Sequence, residues 1–137
     1  MKSSSFERGV IVAVVGLAIF GYVEAWGADW SLYAETEIGD YYYNADSLTR
    51  VSKNIVGVQV KMIHSEAGKI ESTKWLGKQA GMSIALQEIN CADKMSNVLN
   101  STHYADDGTV IRSEKGDQWK SIVSGSMAEL LYKAVCK

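Results

Sequence analysis

The chain has 137 residues, with 14 Lys or Arg, 16 Asp or Glu and a formal net charge of −2, which suits one domain rather than two. This balance gives no electrostatic basis for nucleic-acid binding and no basic patch for an anionic membrane surface. The sequence also lacks a glycine-rich loop of the kind that cradles phosphates.

Residues 1–25 have the order of a secretory signal peptide. A basic start is followed by an uncharged apolar run over residues 10–23 and then by small residues, as at a signal cleavage site. The run is shorter than the roughly 20 residues that span a bilayer. We expect cleavage after Ala25, with Gly27 and Ala28 as alternative positions, which leaves residues 26–137 as one exported domain. The alternative is an uncleaved membrane anchor.

Both cysteines, Cys91 and Cys136, fall in the exported part. Exported domains meet oxidising conditions, and two cysteines allow a single intramolecular pair. We predict a Cys91–Cys136 disulfide, which closes a loop of about 46 residues and stabilises the fold by up to ~4 kcal/mol. The alternative is two free buried thiols.

The first two predicted strands contain a run of three tyrosines. Residues 30–35 (WSLYAE) alternate with period 2, residues 37–40 (EIGD) form a turn, and YYYNA begins the second strand. In a strand Tyr41 and Tyr43 point to one face and Tyr42 to the other. We expect one or two of them to pack in the core. The remainder are candidate contacts with a partner.

Residues 55–64 (IVGVQVKMIH) give the clearest strand. Its apolar positions alternate with Gly57, Gln59 and Lys61, which predicts one buried face and one wet face, as antiparallel sheets allow. The apolar face comprises Val56, Val58, Val60 and Met62.

The next segment, residues 65–81, is polar and contains three glycines. We interpret it as a long, partly mobile connection with a short helical turn around residues 71–75. In this interpretation Trp75 covers one end of the core.

Three further β features follow. Residues 82–91 (MSIALQEINC) alternate and then change phase, which suggests a bulge near Gln87–Glu88. Residues 94–104 form another strand candidate. ADDG at 105–108 is a hairpin turn, and TVIRSE returns as a strand.

The chain ends in a predicted helix. Ser126 and Glu129 form a capping-box pattern, in which Ser126 caps the helix and Glu129 reaches back. Cys136 falls off the apolar stripe, so we expect the last turn to loosen at the disulfide. The stripe expected to lie on the sheet comprises Met127, Leu130, Leu131, Ala134 and Val135. Together these elements predict an α+β domain, with about six antiparallel strands packed against a C-terminal helix.

The order of these features resembles a known family. Trp30 is followed by GDYYYNADSLTR, a Val-rich strand, EINC, YADDGTVI and a W-x2-I-x3-S-x2-E-x6-C run from Trp119 to Cys136. This order resembles the surface-adhesin protein E-like domain of Gram-negative bacteria over residues 30–137. The resemblance implies an exported antiparallel sheet backed by a helix, with one disulfide and no catalytic activity. A ligand does not carry over with it.

The titratable residues show no catalytic or metal-binding pattern. His64 and His103 are the only histidines, and we interpret each as a partly exposed strand-end residue. They lack the spacing of a zinc site. Asp106–Asp107 indicates a turn rather than a calcium loop. The acidic residues Glu35, Glu37 and Asp40 indicate a solvated turn. We therefore expect no enzyme, no metal and no cofactor.

The leading hypothesis is an exported, non-enzymatic binding or adhesion module at the outer-membrane surface or in the periplasm. It would contact an unidentified protein partner, or a second copy of itself, through the sheet's wet face or an edge strand. One alternative is a periplasmic carrier or sensor of an apolar or haem-like small molecule, in a pocket lined by Trp30, Trp75 and Trp119. Another is a structural accessory of an envelope assembly.

Overall fold

A computed structural model describes residues 29–137. The predicted signal peptide and its cleavage site lie outside these residues. No helix in the described part is long and apolar enough to cross a membrane. The strands are β1 (Trp30–Thr36), β2 (Gly39–Asn44), β3 (Thr49–Arg50), β4 (Ile55–His64), β5 (Met82–Asn90), β6 (Met95–Tyr104), β7 (Val110–Lys115) and β8 (Lys120–Ser121). The helices are α1 (Glu66–Leu76) and α2 (Met127–Val135), and a short 3-10 turn covers Ala45–Ser47.

All eight strands belong to one antiparallel sheet. Its main path runs β1-β2-β4-β5-β6-β7, while the short β3 pairs with β4 and the short β8 pairs with β6. Strands that follow one another along the chain are mostly neighbours in the sheet, as short connections require. The predicted antiparallel sheet with a C-terminal helix is confirmed.

The core lies between α2 and the middle of the sheet. Val58 and Ile89, from β4 and β5, are completely buried, and Leu131 of α2 is 1 % exposed. The predicted apolar face of β4 is confirmed by the burial of Val56, Val58 and Val60. We call the side of the sheet that carries α2 the helix face and the opposite side the open face.

Helix α2 is rotated relative to the predicted stripe. Leu130 is 46 % exposed, so its predicted place on the sheet is wrong. Tyr132 packs against the core instead, and its hydroxyl donates to the Cys91 carbonyl at 3.3 Å. A tyrosine suits this place because it combines an apolar ring with a polar tip. The residues that pack on the core are Ala128, Leu131, Tyr132 and Val135.

The N-terminus of α2 is capped by the predicted residues. The Glu129 N–H donates to Ser126 Oγ at 3.3 Å, and Glu129 Oε1 accepts from the Gly125 N–H at 2.9 Å. Lys94 Nζ lies 3.0 Å from Glu129 Oε2. The Gly125 hydrogen bond and Lys94 both lower the pKa of Glu129, so this carboxylate stays charged at the positive end of the helix dipole.

The predicted disulfide joins the other end of α2 to the sheet. Cys91 directly follows β5, and its Cα lies 5.6 Å from that of Cys136. Cys136 is the C-cap of α2 and has left helical geometry, with φ −98° and ψ 80°. The Cys136 N–H still donates to the Tyr132 carbonyl at 2.9 Å, so the last turn keeps its helical hydrogen bond and the expected loosening of that turn is wrong.

Helix α1 corrects the interpretation of residues 65–81 as a mobile connection. Ser65 caps it by accepting from the Gly68 N–H at 3.1 Å, and Gly77 ends it with φ +80°. Its buried face is Gly68, Ser72 and Leu76. Because two of these residues are small and not apolar, the sequence shows almost no hydrophobic periodicity here.

The irregularity predicted near Gln87–Glu88 is present between Leu86 and Gln87, but its extra residue belongs to β6 and not to β5. Strand β5 pairs without interruption with β4, from Ile55 opposite Asn90 to Ile63 opposite Met82. The register shifts only against β6, between Leu86 and Gln87, where Leu99 of β6 is the extra residue. The phase appeared to break because β5 carries apolar residues on both faces.

The disulfide is expected to supply a large part of the stability. Cys91 and Cys136 are 45 residues apart, and closing such a loop restricts the unfolded chain. We expect the double variant Cys91→Ala/Cys136→Ala to lose roughly 2–4 kcal/mol of unfolding free energy. Urea denaturation measures this loss. A midpoint equal to that of the oxidised wild type would contradict it.

Gly68 is expected to be required by close packing rather than by backbone conformation. A Cβ at this position would overlap the Ile38 carbonyl oxygen. Helix propensity alone predicts that Gly68→Ala stabilises the protein by ~1 kcal/mol, whereas overlap predicts a loss of roughly 1–3 kcal/mol. Thermal denaturation distinguishes the two. Ala67→Gly on the exposed side of α1 is the control, with a loss of ~1 kcal/mol from propensity alone. A higher melting temperature for Gly68→Ala would refute the packing role.

Candidate functional site

The three tyrosines of β2 divide between the two faces of the sheet, as the alternation predicts. The rings of Tyr41 and Tyr43 lie on the helix face, where their centroids are 6.1 and 6.3 Å from that of Tyr33. Burial raises the pKa of Tyr33, and the neighbouring Tyr41 raises it further. Burial also raises the pKa of Tyr41. Tyr43 packs against the core cluster. Tyr42 lies on the open face.

A bulge in β1 places Tyr33 beside them. Leu32 pairs with Tyr42 and Ala34 with Tyr41, so Tyr33 is the extra residue. The predicted regular alternation over residues 30–35 is therefore wrong beyond Leu32. The bulge changes the face of the following residues, so Ala34 is buried whereas Leu32, which precedes the bulge, is exposed on the open face.

The open face carries a lysine between two aromatic rings. Lys61 Nζ lies 4.5 Å from the ring centroid of Trp30 and 5.4 Å from that of Tyr42. A cation in this position is attracted by both ring faces. Burial lowers the pKa of Lys61. The three side chains therefore form one group on the open face, and each is half-buried.

Aliphatic side chains surround this group. The register places Ile84 beside Lys61, and it places Ile63 and Leu86 on the same face. Ile63 is 40 % exposed and Leu86 37 % exposed, while Leu32 beside Tyr42 is 48 % exposed. The open face thus combines aromatic, aliphatic and cationic groups. Protein interfaces are enriched in aromatic residues and commonly have such exposed apolar patches.

The helix face holds a hydrogen-bonded group that the sequence does not reveal. Ser83 Oγ lies 3.0 Å from His64 Nε2 and 2.7 Å from His103 Nδ1. Both histidines are 7 % exposed, so the interpretation of two separate, partly exposed residues is wrong. The sheet register brings them together, because Ser83 pairs with Met62 on one side and His103 on the other.

Burial favours the neutral form of His64. It lowers the pKa of this residue, and the positive charges of His103 and Lys69 act in the same direction. The Gly68 backbone and the Asp106 carboxylate oppose them. Within residues 29–137, His64 Nδ1 and His103 Nε2 complete no hydrogen bond. The Gly68 backbone nevertheless lies near enough to His64 to favour the protonated ring.

The group has only part of the geometry that nucleophilic catalysis needs. Ser83 contacts a histidine, and Glu114 Oε1 lies 3.6 Å from His103 Nε2, which is too long for an orienting hydrogen bond. Ser83 also lies within a strand paired on both sides. Neighbouring backbone N–H groups are therefore committed to the sheet and do not form an oxyanion hole.

A cleft of about 360 Å³ lies on the helix face above these residues. Tyr33, Tyr41 and Trp75 line it, and Trp75 packs edge-on against His103 at 5.1 Å between centroids. Of the three tryptophans expected in such a pocket, only Trp75 lines this cleft. Trp30 lies on the open face instead, and Trp119 does not line the cleft.

The acidic candidates form turns. Asp107 Oδ1 accepts hydrogen bonds from the Thr109 N–H at 3.0 Å and from the Thr109 hydroxyl at 2.7 Å. Asp106 Oδ2 lies 3.1 Å from Lys69 Nζ. The strand residues Glu35 and Asp40 pair across the β1–β2 turn. Over the described range, 29–137, no three His, Cys, Asp or Glu side chains converge as metal ligands.

These features define a small α+β domain, held by a disulfide, that presents an open sheet face on one side and the 360 Å³ cleft on the other. The chain belongs to the surface-adhesin protein E family, whose model matches residues 30–137. No curated protein and no solved structure matches the chain.

Burial of His64 predicts that acid destabilises the fold. The ordinary pKa of 6.5 is lowered in the folded protein, so below it the unfolded chain binds more protons than the folded one. The stability that neutral His64 contributes is therefore fully present above about pH 6.5. This contribution is lost as the pH falls through the lowered pKa of the folded protein. Urea midpoints at pH 7 and pH 5 measure the loss, which we expect to be smaller in His64→Gln. If the variant loses as much stability as the wild type, the acid sensitivity comes from titratable groups other than His64.

Proposed function

We propose that this domain is an exported, non-enzymatic adhesion module that binds a protein partner through its open face. Membership of the surface-adhesin protein E family supports the adhesion role. The open face is proposed as the binding surface because it holds the Trp30–Lys61–Tyr42 group among exposed aliphatic side chains.

The chemistry of this face suits a protein partner. The rings and aliphatic groups offer apolar area whose burial drives association, and Lys61 adds a charge that a partner's carboxylate or carbonyl can meet. The rings of Trp30 and Tyr42 are already ordered by Lys61. Binding therefore fixes few additional side-chain rotations, which reduces its entropic cost.

The proposal is tested by adhesion under flow. Beads coated with the protein are counted on a layer of mixed extracellular-matrix proteins after a constant wash. A carboxylate inside an apolar interface would be left unpaired, so we expect Leu86→Asp to reduce retention about tenfold or more.

A matched control separates this effect from altered solubility. Leu130→Asp places the same charge on an exposed leucine of α2, away from the open face, and is expected to leave retention unchanged. Equal retention of Leu86→Asp and wild type would reject the open face as the binding surface. Equal losses in both variants would do the same.

The location follows from the same proposal, since an adhesion module acts at the outer surface. Protease treatment of intact cells is expected to remove the protein. If it survives that treatment and is released by osmotic shock, it is periplasmic, and the adhesion role fails.

A further inference from the structure

The cleft lies on the helix face, opposite the proposed adhesion surface, and the two surfaces share strands β4 and β5. Its floor is formed by β4, β5 and β6, and its walls include Trp75 from α1 and Leu131 from α2. The volume of about 360 Å³ lies near the lower end of the range for small-molecule sites, roughly 300–1,000 Å³. A site of this size takes one or two rings.

The walls are aromatic and apolar. Tyr33 and Tyr41 stand on one side and Trp75 on another, and Met62 and Leu131 add apolar surface. Trp75 is 47 % exposed. Aromatic rings prefer offset or edge-on contacts with another ring, so these walls favour a planar aromatic guest.

The floor is polar but carries little charge. Gln87 and Ser101 line it with an amide and a hydroxyl that form no side-chain hydrogen bond within residues 29–137. Two histidines that are more than nine-tenths buried adjoin them, and each retains one nitrogen without a complete hydrogen bond in that range. Both histidine nitrogens are buried, so the polar edge of a guest meets the amide of Gln87 and the hydroxyl of Ser101, which give up no protein hydrogen bond on binding.

The lining also disfavours an ionic guest. Among residues 29–137 it contains no carboxylate and no arginine, and its one lysine there, Lys61, directs its ammonium to the open face. Burial keeps His64 neutral near pH 7. An ion entering the cleft would lose water without gaining a counter-charge, and this loss is costly in an apolar site.

We infer that this cleft binds an uncharged aromatic small molecule of one or two rings with a hydrogen-bonding edge. The ring packs between the Tyr33–Tyr41 wall and Trp75, and its polar edge meets Gln87 and Ser101. This site is independent of the adhesion surface, which lies on the opposite face of the sheet.

Indole is a suitable probe, since it is neutral, bicyclic and has one N–H donor. Two-dimensional ¹H–¹⁵N NMR spectra of the protein during an indole titration locate the binding site. We expect shifts at Gln87, Ser101, His103 and the Trp75 side-chain N–H. Shifts centred on open-face residues such as Ile84 and Leu86, or no shifts at all, would overturn the inference.

A pair of variants on one strand tests the position. Ser101→Leu fills the cleft, and we expect it to weaken indole binding at least tenfold. Thr102→Leu adds a leucine to the adjacent position on the open face and is expected to bind indole like the wild type. Equal affinity of the two variants would overturn the inference. If Ser101→Leu does not fold, the wild-type shift map decides alone.

Two further probes test the chemistry. Indole-3-acetate and tryptamine carry one negative and one positive charge, and we expect each to bind at least tenfold more weakly than indole. Affinities within twofold of indole would refute the uncharged class. The peptide Gly-Trp-Gly carries the same ring as a protein side chain. If it binds more tightly than indole, the guest is a side chain of a protein and not a free small molecule.

Discussion

The packing of helix α2 across the middle of the sheet is the contact on which the rest of the structure depends. A single antiparallel sheet must cover one apolar face, and Leu131 does so by closing over Val58 and Ile89. The Ser126 cap fixes one end of the helix, and the disulfide fixes the other. The position of α2 decides which side of every strand is interior.

This division gives the tyrosine-rich strand two roles. Tyr41 and Tyr43 face the side that α2 covers in part, where they join Tyr33 beside the cleft and the core. Tyr42, between them in sequence, holds Lys61 on the other side. Strand β2 therefore contributes to both candidate binding surfaces. A change at one tyrosine acts on a single surface, because neighbouring side chains of a strand do not share a face.

Features encoded by neighbouring residues were predictable from the sequence. The apolar face of β4, the ADDG turn and the Ser126 cap each follow from a few adjacent positions, and the disulfide follows from there being only two cysteines. Helix α1 was missed because its buried face is built from Gly68 and Ser72, which carry little hydrophobic signal. The bulge at Tyr33 and the His64–Ser83–His103 group were missed for another reason. Both depend on strand register, and register is set by pairing between distant segments.

The position of the disulfide also determines how the domain carries mechanical load. Cys136 directly follows α2, and it is bonded to Cys91 at the end of β5. Tension applied between Trp30 and Lys137 passes through the sulfur atoms and bypasses β6, β7, β8 and α2. The disulfide closes a loop that spans 45 residues of sequence. Under load this loop cannot extend, which shortens the stretched chain by roughly 150 Å. The part of the sheet that bears the force is β1 to β5, while the helix that completes the core stays attached to the chain's loaded end.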